Sequence, residues 1–399
     1  MNKSELRERQ FPVTRNLVYF NHAAVGPLSA NACSAMEQHA RDQRDSGAAN
    51  WKAWYAEHDA LRVSIADLLG ATPEEISILK NTSEGLSFVA SGLSWKEGDN
   101  VVTTDLEFPS NFTPWKRLES KGVQCRVVQS RDGSYDPDDV AALIDGRTRL
   151  LTVSSVAFHN GFTADLVALG ALCRARGILF CVDAIQSLGA LPIDVRASNI
   201  SFLAADGHKW LLGPEGTAVF FCAEEVRDQL EVVEIGWTNV DRRGKFLDST
   251  TDLLPDGRRF EAGSLNTNGI YGLRASIELI RKLGVEEIRD EVVRLAGRLG
   301  EGLESIGFEV KTPRPFRSGI VAATPRAVDF ERIACKMNEP VSPEANGQLV
   351  VAKLHRFLEQ QRVICAPREG MLRFSPHFYN SDEEIDLVVS VLAPLMRPV

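Results

Sequence analysis

The chain has 399 residues, long enough for a large core and two lobes. Its 44% hydrophobic and 25% charged residues are those of an ordinary globular protein, which excludes a disordered or membrane class. A formal net charge of −9 excludes general nucleic-acid binding, which needs a basic footprint.

The first ten residues are polar and read as an arm. Leu17-Val18-Tyr19-Phe20 then leads into Asn21-His22-Ala23-Ala24-Val25-Gly26-Pro27, small residues closed by a Gly-Pro turn. His22 fits a capping or packing role as well as a substrate contact. Residues 30–69 read as two helices split near Gly47. Ile76–Leu79 is a short predicted strand, followed by Asn81-Thr82-Ser83-Glu84-Gly85 and a helix pattern over 86–93. Strand, hydroxyl residues and helix in that order leave unpaired N–H groups at a helix N-terminus, an anion site in waiting. A plain Ser or Thr cap explains the same residues.

Val101–Thr104 is a further predicted strand, ending in Asp105-Leu106-Glu107-Phe108-Pro109-Ser110, with a helix expected over 111–121. Strands are expected over 123–128 and 149–156, with a helix from the Asp136-Pro137 cap through Ile144 between them. A helix over 165–176 precedes two apolar runs, 177–182 and 200–205. The first leads into Asp183-Ala184-Ile185-Gln186, the second into Asp206-Gly207-His208-Lys209-Trp210. A strand over 217–221 follows. Residues 236–268 read as an irregular crossing segment, followed by helices over 271–283 and 285–303. Strands over 308–311, 319–322 and 371–375 form a smaller layer, and a helix over 381–396 closes the chain.

Alternating strands and helices from 76 to 222 predict a mixed or parallel sheet covered on both faces. Ligands of such sheets sit beyond the carboxyl ends of the strands. Thr82, Ser83, Phe108, Ser155, Asp183, His208 and Lys209 all fall there. An acid at one strand end and a lysine beyond the next is the pair a pyridoxal phosphate site needs. The lysine forms the Schiff base, and the carboxylate keeps the pyridine nitrogen protonated. No GxGxxG follows an early strand, which excludes a Rossmann dehydrogenase. Seven scattered cysteines without a CxxC pair fit reduced thiols rather than a disulfide framework. With no apolar run of roughly 20 residues and no secretory signal visible, a cytoplasmic location away from membranes is expected.

The order Thr82-Ser83-Glu84, Glu107-Phe108, Asp183-x-x-Gln186, Asp206-Gly-His208-Lys209 and Arg373-x-Ser375 resembles class V aminotransferases. This fold-type I pyridoxal phosphate family includes cysteine desulfurases, selenocysteine lyases and isopenicillin-N-epimerase-like enzymes. The resemblance implies an α/β fold with a mostly parallel seven-stranded sheet in a large domain, plus a smaller α+β C-terminal domain. The expected division is an arm (1–19) packing with the small domain, a large cofactor domain (20–265) and the small domain (266–399).

By the same resemblance Lys209 is the Schiff-base lysine and the proton shuttle at Cα. Asp183 pairs with the pyridine N–H, and Gln186 donates to the ring hydroxyl oxygen. Thr82, Ser83 and His208 hold the phosphate, with Asp206 and Ser155 also at the cofactor. Phe108 stacks on the ring, where desulfurases carry a histidine; it cannot serve as an acid. Arg373 binds the substrate α-carboxylate, with His22 and Ala24 nearby. Arg259 to Ser264 resembles the loop that reaches the neighbouring subunit's phosphate, implying a homodimer. No metal is expected.

Two departures from desulfurases stand out. Ser155 replaces an asparagine, and the run Val363 to Gly370 lacks the loop that carries the nucleophilic cysteine. Cys365, in an apolar run, reads as a structural thiol. The expected activity is therefore at the α-carbon of an amino acid, as an aminotransferase or a thiol-independent C–S or β-elimination lyase. Epimerase and cysteine desulfurase are the alternatives, with an idle scaffold as the non-enzyme one. Trp237, Asn239, Arg242, Arg243 and His159 are plausible pocket liners by neighbourhood alone.

Overall fold

The computed structural model describes residues 3–241, 245–247, 249–337 and 347–396. Its first strands are β1 (Val18–Tyr19), β2 (Ile76–Leu79), β3 (Asn100–Thr104), β4 (Gln124–Val128), β5 (Thr148–Ser154), β6 (Leu179–Asp183), β7 (Phe202–Asp206) and β8 (Ala218–Cys222). Strands β2 to β8 form one seven-stranded sheet in the order β2-β8-β7-β6-β5-β3-β4. The five strands from β7 to β4 pair in parallel, and β8 runs antiparallel to both neighbours. Every residue of β2, β3, β7 and β8 is buried, as expected of strands covered on both faces.

Local sequence signals set the covering helices. Asp165 accepts from the Ala168 amide (2.9 Å) to start the helix Leu166–Arg176, and Gly177 ends it at φ 66°. The helix expected over 111–121 is instead broken. Only Thr113–Arg117 is α-helical, between turns at Pro109–Asn111 and Leu118–Lys121. Pro114 supplies no N–H, and the Asn111 side chain is drawn into bonds with Glu107, Trp115 and Thr152. The helix after Asp136 stops at Ala141, short of Ile144.

The second layer contains β9 (Phe308–Val310), β10 (Val321–Pro325), β11 (Val363–Ile364), β12 (Ala366–Arg368) and β13 (Met371–Phe374). Four of these form an antiparallel sheet, β12-β13-β10-β9, while β11 pairs in parallel with β1. The strand expected over 319–322 lies at 321–325. The run 363–370 is not one segment. Glu369 (φ 46°) and Gly370 (φ 74°) make a two-residue turn that folds β12 back on β13.

Two apolar cores follow, one around the large sheet and one joining the small sheet to the helices Val285–Ser305, Gly347–Gln360 and Asp382–Met396. The helix Thr267–Leu283 follows the expected boundary at 266, yet its Ile270, Leu273, Ile277 and Ile280 belong to the large core. The N-terminal arm likewise touches both parts. Leu6 and Phe11 join the large core, and Arg7 pairs with Glu384 of the last helix (2.6 Å). Among the described residues no helix is long and apolar enough to cross a membrane, and no three His, Cys, Asp or Glu side chains are grouped to hold a metal.

Candidate active site

The carboxyl ends of β6 and β7 deliver the two central groups. Asp183 ends β6, 2% exposed, with Oδ1 accepting from the Ile185 amide (3.0 Å). Burial pushes its carboxyl up to about 6, against the pull of that amide and of Lys209. Beyond β7, the turn Gly207-His208-Lys209 is held by Gly207 N–H donating to Thr217 O (3.0 Å) and Leu212 N–H to Lys209 O (3.1 Å). Burial brings the Lys209 ammonium down to about 8; Asp183 opposes this and Arg373 adds to it. The Lys209 Nζ lies 5.7 Å from the centre of the Phe108 ring. That ring is fixed edge-on to Phe158 (centroids 5.1 Å apart).

Just before Phe108, Glu107 ties the end of β3 to that of β5. It accepts from the Ser154 amide (2.9 Å), Ser154 Oγ (2.5 Å), Asn111 Nδ2 (2.7 Å) and Thr104 Oγ1 (3.0 Å). Burial nevertheless lifts its carboxyl to about 7.

One end of the cavity is built for an anion. The helix Thr82–Gly92 is capped by Asn81, whose side chain accepts from the Glu84 amide (2.9 Å). The Thr82 and Ser83 amides precede the first intrahelical bond, and both residues line the cavity. Thr82 Oγ1 accepts from the Asp206 amide (2.9 Å), and the Ser83 and Ser110 hydroxyls meet at 2.7 Å. His208 Nδ1 lies 2.9 Å from Asp206 Oδ1.

The other end is cationic. Arg373 on β13 is 1% exposed; its Nη1 donates to Phe158 O (2.6 Å), while Nε and Nη2 are buried without a partner. Burial, and after it the charge of neighbouring Arg368, draws its pKa down to about 9. A cavity of about 320 Å3 connects both ends, within the usual size of small-molecule sites.

Thr82, Ser83, Phe108, Asp183, Gln186, Asp206, His208, Lys209, Arg373 and Ala24 all line this cavity. Gln186 is anchored twice, Nε2 donating to Ala23 O and Oε1 accepting from Trp210 Nε1 (both 3.0 Å). Its second Nε2 hydrogen is still available.

Three residues lie elsewhere. His22 is fully buried, absent from this cavity's lining and bonded to Ser375 O (2.8 Å) and Tyr379 Oη (2.7 Å), so it braces the N-terminal segment against residues 375–379. Burial also pushes its pKa well down, keeping it neutral. Ser155 is turned behind Asp183, bonding the Asp183 carbonyl (3.1 Å) and Ser187 Oγ (2.5 Å), and lines a different cavity. Ser264 lines a separate cavity with Lys80 and Glu84. Of the neighbourhood candidates, Trp237 lines another hollow and Asn239 braces its own loop. His159 is absent from this cavity's lining. Arg242 and Arg243 lie outside the described residues.

The lining also includes Asn81, Ser110, Phe158 and Arg368, which sequence reasoning missed. A signal for Arg368 was present. Arg-Glu-Gly between apolar runs reads as a two-residue hairpin, which places Arg368 and Arg373 on one face.

The residues fit pyridoxal phosphate. A buried acid stands at one side of the cavity, a lysine of lowered pKa beside it, and a helix N-terminus at one end. The two buried, partnerless nitrogens of Arg373 demand an anion at the other.

Comparison with known proteins agrees with that chemistry. The family model for aminotransferase class-V matches residues 18–388. A probable cysteine desulfurase of Methanothermobacter thermautotrophicus is 32% identical over 98% of this chain and 97% of its own. The apo cysteine desulfurase of Thermococcus onnurineus superposes with a TM-score of 0.85 at 27% identity, covering 98% of this chain and 97% of that one. At 24% identity the fold alone is shared with a variant of the enzyme C-DES solved with glycine covalently linked to its PLP cofactor (TM-score 0.85, 97% and 98% covered).

Proposed function

The chain belongs to the class-V aminotransferase family of pyridoxal-phosphate-dependent enzymes, and from that premise we propose that it is a lyase cleaving the Cβ–S bond of a cysteine-type amino acid without a protein thiol. The observation that carries this reading is the cavity lining. None of the seven cysteines is in it, and all seven lie within the described residues. Cys365, nearest in sequence to Arg373, is 2% exposed, and burial pushes its thiol well above the ordinary range. The name of the M. thermautotrophicus relative supports sulfur as the leaving atom. With no thiol in the lining, a protein-bound persulfide has no acceptor there.

Bound pyridoxal phosphate supplies an electron sink for the pair left at Cα when its proton departs. In this reading Lys209 Nζ carries the covalent link to the cofactor and, once released, takes the Cα proton; its lowered pKa makes the neutral amine accessible near pH 8. Asp183, ionised above about pH 6, holds a proton at the pyridine nitrogen. Arg373 Nε and Nη2 bind the α-carboxylate. The Thr82 and Ser83 amides with His208 hold the phosphate, Gln186 the ring oxygen, and Phe108 the ring face. Trapping by borohydride tests the anchor, with the added cofactor mass expected on Lys209.

Incubation with L-cysteine should then release pyruvate, ammonia and sulfide in equal amounts, water being the only co-reactant. Alanine with a persulfide would mean a desulfurase. A 2-oxo acid without sulfide would mean a transaminase.

We also propose a homodimer in which Ser264 serves the partner's phosphate. Support comes from its place in a cavity separate from that of its own Lys209 and from the exposed Ile235, Trp237 and Phe246 on the preceding segment. A single-chain mass by sedimentation would refute it. The division into an arm, a large and a small domain belongs to this reading too, with the helix Thr267–Leu283 packed on the large core.

A further inference from the structure

The hairpin of β12 and β13 presents two guanidinium groups to one cavity. Its register sets Ala366 opposite Arg373 and Arg368 opposite Met371. Directly opposed residues share a face, as do residues two apart on one strand. Arg368 and Arg373 therefore project from the same face, and both line the Lys209 cavity. Their mutual repulsion contributes to the lowered pKa of Arg373, and both lower that of Lys209.

An ordinary α-amino acid brings one carboxylate, which the buried, partnerless nitrogens of Arg373 claim. Arg368 has no ion pair among the described residues. Its recorded hydrogen bond is from Nη1 to the carbonyl of its neighbour Pro367 (2.8 Å). Of the two carboxylates in the cavity, Asp183 interacts with Lys209 and Asp206 lies 2.9 Å from His208 Nδ1. A half-buried guanidinium without a counter-charge is unfavourable, and its fork geometry suits a carboxylate or similar anion.

We propose that Arg368 binds a second anionic group on the substrate, so that the enzyme selects α-amino acids carrying an anion beyond the reacting Cβ. This rests on the lyase reading above and names its substrate class.

A matched pair of probes tests it: S-carboxymethyl-L-cysteine and S-carbamoylmethyl-L-cysteine, alike in size and differing in the charge of the distal group. The holoenzyme is titrated with each, following the absorbance of the bound cofactor, and pyruvate is assayed separately. The carboxymethyl probe is expected to bind at least about tenfold tighter, the worth of a charged hydrogen bond. Arg368→Gln should bring that ratio to about one, and Arg368→Lys should keep part of it. Arg373→Gln should weaken both probes alike. Equal affinities in the unmodified enzyme overturn the proposal, as does an Arg368→Gln variant that weakens both probes equally. The second result would make Arg368 a co-ligand of the α-carboxylate. A preserved preference without pyruvate overturns the lyase reading only, whereas pyruvate without a preference overturns this inference only.

Discussion

At the scale of single residues, the site works by holding ionisable groups where their charge is disfavoured. Asp183 shows the consequence for stability. Its folded carboxyl keeps its proton up to about pH 6, whereas the ordinary value is 3.8. The sign follows from linkage: the stabilising contribution is full below pH 3.8 and is lost as pH rises through 6. Asp183→Asn removes the cost of ionisation. Cofactor-free Asp183→Asn should therefore be more stable than the cofactor-free parent at pH 7.5, by at most about 3 kcal/mol. The advantage should vanish near pH 4. Urea unfolding across that range measures it, and a gap indifferent to pH would refute the assignment. Arg373 follows the same logic, with two buried nitrogens left to be satisfied by a ligand.

At the scale of elements, what matters is how segments distant in sequence press on the lysine turn. Gly26 lies against that turn. Its amide donates to His208 O (2.6 Å), and a Cβ there would stand 2.2 Å from Lys209 O. The obstruction is backbone, which cannot swing aside as a side chain could. Gly26→Ala should cost about 1–3 kcal/mol of stability and loosen cofactor retention, read as cofactor absorbance per chain after dialysis. Gly146→Ala is the control, because no atom lies within 4 Å of its Cβ. Retention equal to the parent's in Gly26→Ala would show that the turn has room to shift. The hairpin at Glu369-Gly370 acts similarly, since its register brings Arg368 and Arg373 together.

For the whole molecule, the two ends of the chain are locked to each other. Phe11 is fully buried, stacked on Tyr379 (centroids 3.8 Å, planes 8° apart) and edge-on to Phe378. His22 joins the same cluster through Tyr379 Oη, and Arg7 reaches Glu384. Phe11→Ala should therefore destabilise the protein by about 3–5 kcal/mol, like a core truncation. A shift of the denaturant midpoint measures it, and an effect below about 1 kcal/mol would mark the arm as a loose appendage.

The alternation of buried strands and helices, the acid at the end of β6 and the lysine beyond β7 were all legible in the sequence, whereas the helix expected over 86–93 with a Ser or Thr cap starts at Thr82 under an Asn81 cap. Each rests on residues close together in the chain, where periodicity, capping chemistry and strand ends act locally. What the sequence could not decide was which side chains meet. His22 and Ser155 stand in suitable segments, but packing turns His22 toward Tyr379 and Ser155 behind Asp183. Arg368 became a site residue only when a two-residue turn folded β12 onto β13 and the small sheet closed over the large one. The sequence by itself determined the cofactor chemistry, because that depends on residue types at strand ends. Only the tertiary structure decided that Arg368 joins Arg373 in the Lys209 cavity, because that end of it is assembled from strands far from Lys209 in the chain.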